Sequence, residues 1–259
     1  MIKSVKNGSI QAVSNTLKIL EILSATQKCG ISELAKDLDC QKGTVFRLLS
    51  TLKNEGYITQ DEENKKYSLT LKLFKIGSNM VNSLDLNKVV LPIITRLSEL
   101  TSETIHLCIM ENGQLVYLHK IESTYALKVT MKSRVGQSTP LYCTAVGKVL
   151  LAHQSIDTIQ RYLKNTQFEN FTENTIVEPQ DLTIELEKVR SSGIAYDNEE
   201  HELGVCCVAA PIFDQTGKIL AALSISGPSV RMNDEKLKLM RELVKNAASE
   251  ISAKVGYSG

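Results

Sequence analysis

Between Gly30 and Ile58 the chain reads GISELAKDLDCQKGTVFRLLSTLKNEGYI, two short apolar rhythms parted by three polar residues. Ile31, Leu34, Ala35 and Leu38 recur at helical spacing, and after Asp39-Cys40-Gln41 the same spacing returns in Val45, Leu48, Leu49 and Leu52. Two amphipathic helices joined by so short a turn must pack against each other. Gly56 stands where a glycine ends a helix, and Tyr57-Ile58 begins an extended segment. Gln41 opens the second helix, and Lys42, Thr44, Arg47 and Lys53 stand away from its apolar positions, offering donors suited to phosphates and base edges. A helical hairpin with a solvated charged face has the same spacing, so the flanks must decide between that and a helix-turn-helix.

Downstream, YITQDEENKKYSLT alternates β-favouring residues around a polar turn that carries Lys65 and Lys66, the pattern of a β-ribbon wing with a basic tip. Upstream, AVSNTLKILEILSAT spreads Val13, Leu17, Ile19, Leu20, Ile22 and Leu23 over more than half of a helix circumference. One core cannot take that many, so this helix is expected also to meet a second subunit. Residues 1–80 hold twelve Lys and Arg against eight Asp and Glu, net +4, while the remaining 179 hold eighteen against twenty-one, net −3. The basic excess sits on the candidate DNA module and is modest. A monomer should bind DNA weakly and salt-sensitively, and dimerising on a two-fold operator is the simple remedy.

The remaining sequence predicts an α+β architecture: a winged helix-turn-helix over 1–72, a helical connector over 73–101 and an effector-binding domain over 102–259. The connector has Leu86, Val90, Ile93, Leu97 and Leu100 in helical register, Pro92 inside it as a kink or helix start, and Ser83-Leu84-Asp85 as a possible cap. IHLCIMENGQLVYLHKIE is a hairpin turning at Asn112-Gly113, with Leu115, Tyr117 and His119 alternating against Val116, Leu118 and Lys120. LKVTMKS supplies another strand, helices follow at TAVGKVLLAH, Asp157 to Leu163 and Pro179 to Ser192, a second hairpin turns across Asp214 to Gly217, and NDEKLKLMRELVKNAASEISAKV closes as an amphipathic helix. The opening residues lack the apolar run of a secretion signal and no stretch reaches the eighteen or so apolar residues of a membrane span, so a cytoplasmic protein is expected. Six cysteines without CxxC spacing read as reduced core fillers.

Three stretches could bind something. In TPLYCTAVGKVLLA, Thr144 is a candidate cap and the N–H groups of Ala145, Val146 and Gly147 start a helix, a cradle for a small carboxylate. Ser224 and Ser226 share one strand face, and Val205, Cys207 and Ala209 share another. Singly, each has a purely structural explanation. The acidic run YDNEEHELG offers Asp197, Glu199, Glu200 and His201, and reads as a solvated loop ahead of a strand rather than a metal or acid-base site. No nucleophile is paired with a base at a recognisable spacing, and there is no phosphate loop or HExxH; no catalytic residue, metal or cofactor is expected. A thiol redox sensor built on Cys206 or Cys207, and an enzyme of keto-acid metabolism, are the readings from other classes.

The order of a winged helix-turn-helix, a connecting helix and then RVGQSTPLYCTAVGKVLLA, YDNEEHELGVCCVAAPIFD and ALSISGP resembles the IclR family of bacterial transcriptional regulators over nearly the whole chain. That resemblance implies a DNA-binding regulator, a palindromic operator, a homodimer or dimer of dimers, and a GAF-like domain for a small organic acid. The expected effector is the sugar acid 2-keto-3-deoxygluconate, with glyoxylate- or pyruvate-like acids as the alternative. It also implies an effector pocket of Leu127, Met131, Ala145, Val146, Asp197, Val205, Cys207, Ser224 and Ser226, and raises Asp197 from a loop acid to a ligand contact. Two positions depart from the family pattern: Gln41 stands where serine is common, implying a weaker helix start and a different operator, and Tyr142 stands where histidine is frequent, placing a phenol near the pocket mouth.

Overall fold

The computed structural model describes residues 10–76, 86–126, 131 and 133–258. The chain divides into two compact units, Met1–Leu84 and Asp85–Gly259. In the first, α1 (Gln11–Thr26), α2 (Ile31–Asp37) and α3 (Lys42–Asn54) are followed by a two-stranded antiparallel ribbon, β1 (Ile58–Gln60) and β2 (Tyr67–Leu69). Ile19, Leu23, Leu34, Val45, Leu49, Leu52, Ile58 and Tyr67 form its core, so both rhythms of the opening motif converge on one centre. Asp39 turns the chain between α2 and α3 at φ 50°, a left-handed conformation that aspartate tolerates. At the end of α3, Gly56 takes φ 73°, its N–H donates to the Lys53 carbonyl and the Tyr57 N–H to the Leu52 carbonyl, both at 2.9 Å. This paired closure ends the helix abruptly and aims the chain into the ribbon.

The second unit is a six-stranded antiparallel sheet between helices. Its elements are α4 (Leu86–Thr101), β3 (Thr104–Glu111), β4 (Gln114–Ile121), β5 (Ser138–Thr139), α5 (Ala145–Ala152), α6 (Ile156–Asn165), α7 (Pro179–Ser192), β6 (Ala195–Asn198), β7 (Val205–Phe213), β8 (Ile219–Pro228) and α8 (Asp234–Lys254). The strand order is β5-β4-β3-β8-β7-β6. Period-two alternation divides the faces: Ile105, Leu107, Val208, Ala210, Leu223 and Ile225 meet α4 and α8 on one side, while Cys108, Tyr117, Ala209 and Ala222 meet α5 and α7 on the other. The expected hairpins are present, with Asn112 and Gly113 at φ 51° and 78°, as a tight two-residue turn requires.

Several expectations need correcting or fall outside view. The helix Leu86–Thr101 runs through Pro92 instead of starting there, and belongs to the second unit, its Val90, Ile93, Ile94 and Leu97 being buried in the core. That packing compensates the backbone hydrogen bond that proline removes. In β4 the simple alternation fails after Tyr117. Cys108 pairs with Tyr117 but Leu107 pairs with His119, so Leu118 is an extra residue and His119 leaves the face that Tyr117 occupies. Lys120, opposite His106, takes that face instead. The cap at Ser83-Leu84-Asp85 and most of the strand LKVTMKS, Leu127 included, lie outside the described residues.

Helix α5 starts under an unusually close contact. A Cβ on Gly147 would stand 2.2 Å from the Leu141 carbonyl oxygen and 2.6 Å from Thr144 Oγ1, the first a backbone atom and the second the cap of the helix, so one of them must shift. Gly147→Ala should therefore displace the start of α5 and, at the overpacking cost of about 1–3 kcal/mol, lower the midpoint of thermal unfolding by several degrees in a calorimetric scan. An unchanged midpoint would show that the 141–147 turn is free to move.

Candidate functional site

Two surfaces carry the expected chemistry, one in each unit. On the first, Gln41, Lys42, Arg47, Lys65 and Lys66 are exposed and Thr44 is half-buried, while Val45, Leu49 and Leu52 turn into the core. The N-terminal turn of α3 thus presents amide, ammonium and guanidinium donors outward, and the ribbon tip presents two more ammonium groups. Gln41 is the N-cap residue and makes no side-chain cap bond, so its amide stays available to another partner. The serine-to-glutamine departure does cost the helix that cap. Phe46, 56% exposed, interrupts the polar surface of α3; its position within a helix rhythm marked only the apolar face, and sequence reasoning passed over it.

On the second, one cavity of about 410 Å³, counting its open mouth, lies between the sheet and the start of α5. Met131, Ala145, Val146, Asp197, Val205, Cys207, Ser224 and Ser226 all line it, so eight of the nine residues expected from sequence come together; Leu127 lies outside the described residues. The sheet register explains the gathering. Asp197 pairs with Cys207 and Cys207 with Ser226 across three strands, and Ser224 pairs with His106. Thr144 caps α5 by accepting from the Gly147 N–H at 3.1 Å. That bond corrects the expected cradle: Gly147 is engaged, and the donors left for a ligand in the first turn are those of Ala145 and Val146.

The acidic run is not a solvated loop. Asp197 and Glu200 are buried, and the reason is Lys148, a fully buried lysine on α5 whose Nζ lies 2.6 Å from Glu200 Oε1 and 3.5 Å from Glu185 Oε1. The Glu200 N–H in turn donates to Asp197 Oδ1 at 2.8 Å, and Thr172 and Thr175 hydroxyls donate to the Glu199 and Glu200 carbonyls at 2.5 and 2.6 Å. Among the described residues no group of three or more His, Cys, Asp or Glu side chains could hold a metal ion. Tyr142 is not at the mouth either. It is buried against Phe168, and its hydroxyl donates to the Glu169 carbonyl and accepts from the Glu169 N–H at 2.8 and 2.7 Å, tying down the loop around Glu169.

Comparison with known proteins gives this arrangement its place. The family model described as Bacterial transcriptional regulator IclR C-terminal matches residues 78–253, and the IclR helix-turn-helix domain matches residues 12–62. The chain belongs to the IclR family. It is 41% identical to the HTH-type transcriptional regulator KdgR of Escherichia coli over 96% of this chain and 94% of that one, and 35% identical to the HTH-type transcriptional regulator XynR of the same organism over 96% and 98%. Among solved structures it resembles the Thermotoga maritima IclR at 31% identity with a TM-score of 0.77, covering 96% of this chain and all of the other. As an IclR-family member the protein is a ligand-responsive, DNA-binding transcriptional regulator.

Within this IclR-family cavity the charge states follow from burial. Burial drives the Cys207 thiol well above its usual range and lifts that of Cys206 to about 11, so neither thiol is an activated nucleophile. Cys206 also faces the opposite side of the sheet, with its Sγ 3.2 Å from Asn198 Oδ1. The redox-sensor reading loses its chemical basis. His106, Tyr117, Ser133, His201 and Glu202 also line the cavity; His201 is the histidine of the acidic run expected to be a solvated loop, and the other four were missed from sequence. Among those four the available signal was His106, a titratable residue in the apolar run TIHLCIM.

Burial is the largest cause lifting the Asp197 carboxyl to about 7; the charge of Glu200 adds to it, while the Glu200 N–H and Lys148 pull the other way. An aspartate in an unfolded chain titrates near pH 4. Between about pH 4 and 7 the folded protein keeps a proton that the unfolded chain has lost, so the stability Asp197 contributes is full below that window and is lost as the pH rises through it. Asp197→Asn should remove this loss. The stability difference from urea unfolding should grow in the variant's favour from pH 4 to 7, by at most about 1.4 kcal/mol per unit, and level off above. A difference flat in pH would mean that the carboxyl is ionised throughout.

Proposed function

We propose that this regulator is a repressor of sugar-acid catabolism genes, released from its operator when 2-keto-3-deoxygluconate or a related small organic acid fills the cavity beneath α5. The observation that carries the reading is the composition of that cavity: two unclaimed helix-start N–H groups at Ala145 and Val146 for a carboxylate, and Asp197, Ser224 and Ser226 for hydroxyls and a ketone. The 41% identity to KdgR supports the sugar-acid class. In this reading Met131, Val205 and Cys207 pack the carbon chain, and Leu127 joins them from sequence.

Gln41, Lys42, Thr44 and Arg47 read a major groove while Lys65 and Lys66 neutralise phosphates, and two copies bind a palindromic operator in the cytoplasm. The second copy is supported by α1, on which Ile19 and Leu23 are buried while Val13 and Leu17 are 54% and 55% exposed. For the effector to release DNA it must favour the non-binding arrangement through its differential affinity, typically by about 1–3 kcal/mol.

Thermal unfolding of the purified protein with 2-keto-3-deoxygluconate, pyruvate, glyoxylate and gluconate tests the effector. At a hundred times its dissociation constant a ligand adds about 2.7 kcal/mol, a rise of several degrees. A rise with the keto-deoxy sugar acid alone is the expected result, and a rise with pyruvate or glyoxylate alone would keep the regulator and discard the sugar acid. Arg47→Ala should weaken operator binding by about 1–3 kcal/mol and relax sequence preference, whereas Lys66→Ala should weaken all DNA equally and lower the salt slope by about one, both read by fluorescence anisotropy. Operator affinity untouched by Arg47→Ala would remove α3 from the groove.

A further inference from the structure

His106 occupies the floor of the cavity in an unusual position. It is buried on β3, its ring lies 5.3 Å from that of Tyr117, and each ring nitrogen faces a serine: Nε2 is 2.9 Å from Ser133 Oγ and Nδ1 is 3.3 Å from Ser226 Oγ. Lys120, which shares this face through the Leu118 bulge, donates from Nζ to the Ser133 carbonyl at 2.9 Å. Burial and the neighbouring ammonium both oppose a second proton, and the imidazole is neutral. A neutral imidazole has one donor and one acceptor, so the two serines cannot both be treated alike.

Ser226 has one proton to give. If His106 carries its hydrogen on Nε2, Nδ1 accepts from the Ser226 hydroxyl, and Ser226 then offers a ligand only lone pairs. If the hydrogen is on Nδ1, it donates to Ser226 Oγ, the Ser226 proton is freed for a ligand in the cavity or for the neighbouring Cys207 sulfur, and Nε2 accepts from Ser133. No proton is gained or lost between the two states. The hydrogen changes ring nitrogen and the Ser133 hydroxyl turns round.

We propose that His106 is a specificity-determining residue of the effector site, setting Ser226 as a donor when the ligand presents a carboxylate or ketone oxygen and as an acceptor when it presents a hydroxyl. This deepens the reading of the cavity as an effector site and rests on it. The ligand class it favours is a keto acid, whose carboxylate or ketone oxygen accepts the proton that the Nδ1–H form frees on Ser226. Acid binding then leaves a signature on a nitrogen, Nε2, that faces Ser133.

The test uses the full chain labelled with ¹⁵N at histidine. Two-bond ¹H–¹⁵N spectra distinguish the tautomers, and the His106 signals are those absent from His106→Gln. Pyruvate, glyoxylate, gluconate and 2-keto-3-deoxygluconate are each titrated, with thermal unfolding alongside to register binding. The expected result is conversion of His106 to the Nδ1–H form on saturation with a keto acid that binds, together with at least tenfold weaker binding of that acid by His106→Gln and a milder loss, about threefold, by Ser133→Ala. Ser133→Ala keeps the ring in place, so a fold-related loss in the glutamine variant does not decide the matter. Binding with the His106 tautomer unchanged overturns the proposal and leaves the effector site standing. Failure of all four acids to bind overturns the effector-site reading, and the role of His106 with it.

Discussion

The second unit depends on one buried ion pair. Lys148 and Glu200 meet at 2.6 Å, one on α5 and the other on the turn after β6, with Glu185 Oε1 a more distant second partner of the lysine at 3.5 Å. Two ions brought out of water separately would cost several kcal/mol each, so each tolerates burial chiefly because the other is there. The geometry of the cavity follows from that mutual need. Glu200 held at Lys148 fixes its own N–H on Asp197 Oδ1, which aims the remaining carboxylate edge at the cavity, and Thr172 and Thr175 hold the backbone of the same turn. Glu200 Oε2 has no hydrogen-bond partner among the described residues, a sign that the pair is kept for position and not for maximal stability.

The sheet separates two kinds of packing. On one face α4 and α8 bury a continuous apolar core, with Glu103 at its edge fully buried between Arg231 and Lys236 at 2.9 and 2.7 Å. On the other, hydroxyls, a thiol and a carboxyl replace apolar side chains at Ser224, Ser226, Cys207 and Asp197, and the helix start at Thr144 closes over them. A core of this size tolerates a polar half because the opposite half is filled. The recognition unit is built on the opposite economy, a single small core from which every basic group of interest is turned outward.

Much of this was legible in the sequence where local rules decide it. Helical spacing placed α2 and α3, Gly56 ended α3, Asn112-Gly113 and Gly217 turned the hairpins, and period two put Ser224 with Ser226. Other features depend on contacts made at long range. Lys148 looks like an ordinary polar residue in a short helix, and only the arrival of Glu200, fifty-two positions later, buries it. The same arrival turns YDNEEHELG from an apparent surface loop into the cavity wall. Tyr142 was judged by its neighbours in the chain, whereas its hydroxyl is claimed by Glu169 in a loop that carries no regular pattern. The gathering of the cavity residues was expected from family resemblance, and strand register supplies its physical cause.

The extra residue at Leu118 has a consequence for how this strand can change over time. It gives the two halves of β4 opposite parity, so Tyr117 and Lys120 share the cavity face although three positions separate them. Deleting Leu118 or His119 would leave Tyr117 and Lys120 two positions apart in a regular strand, still on one face, whereas an insertion or deletion elsewhere in β4 would turn over everything on one side of it. Point substitutions can explore this wall one side chain at a time, while length can change at the bulge without turning either half over. The strand behaves like a reading frame with one spare position, and only there can a residue be gained or lost without shifting the rest.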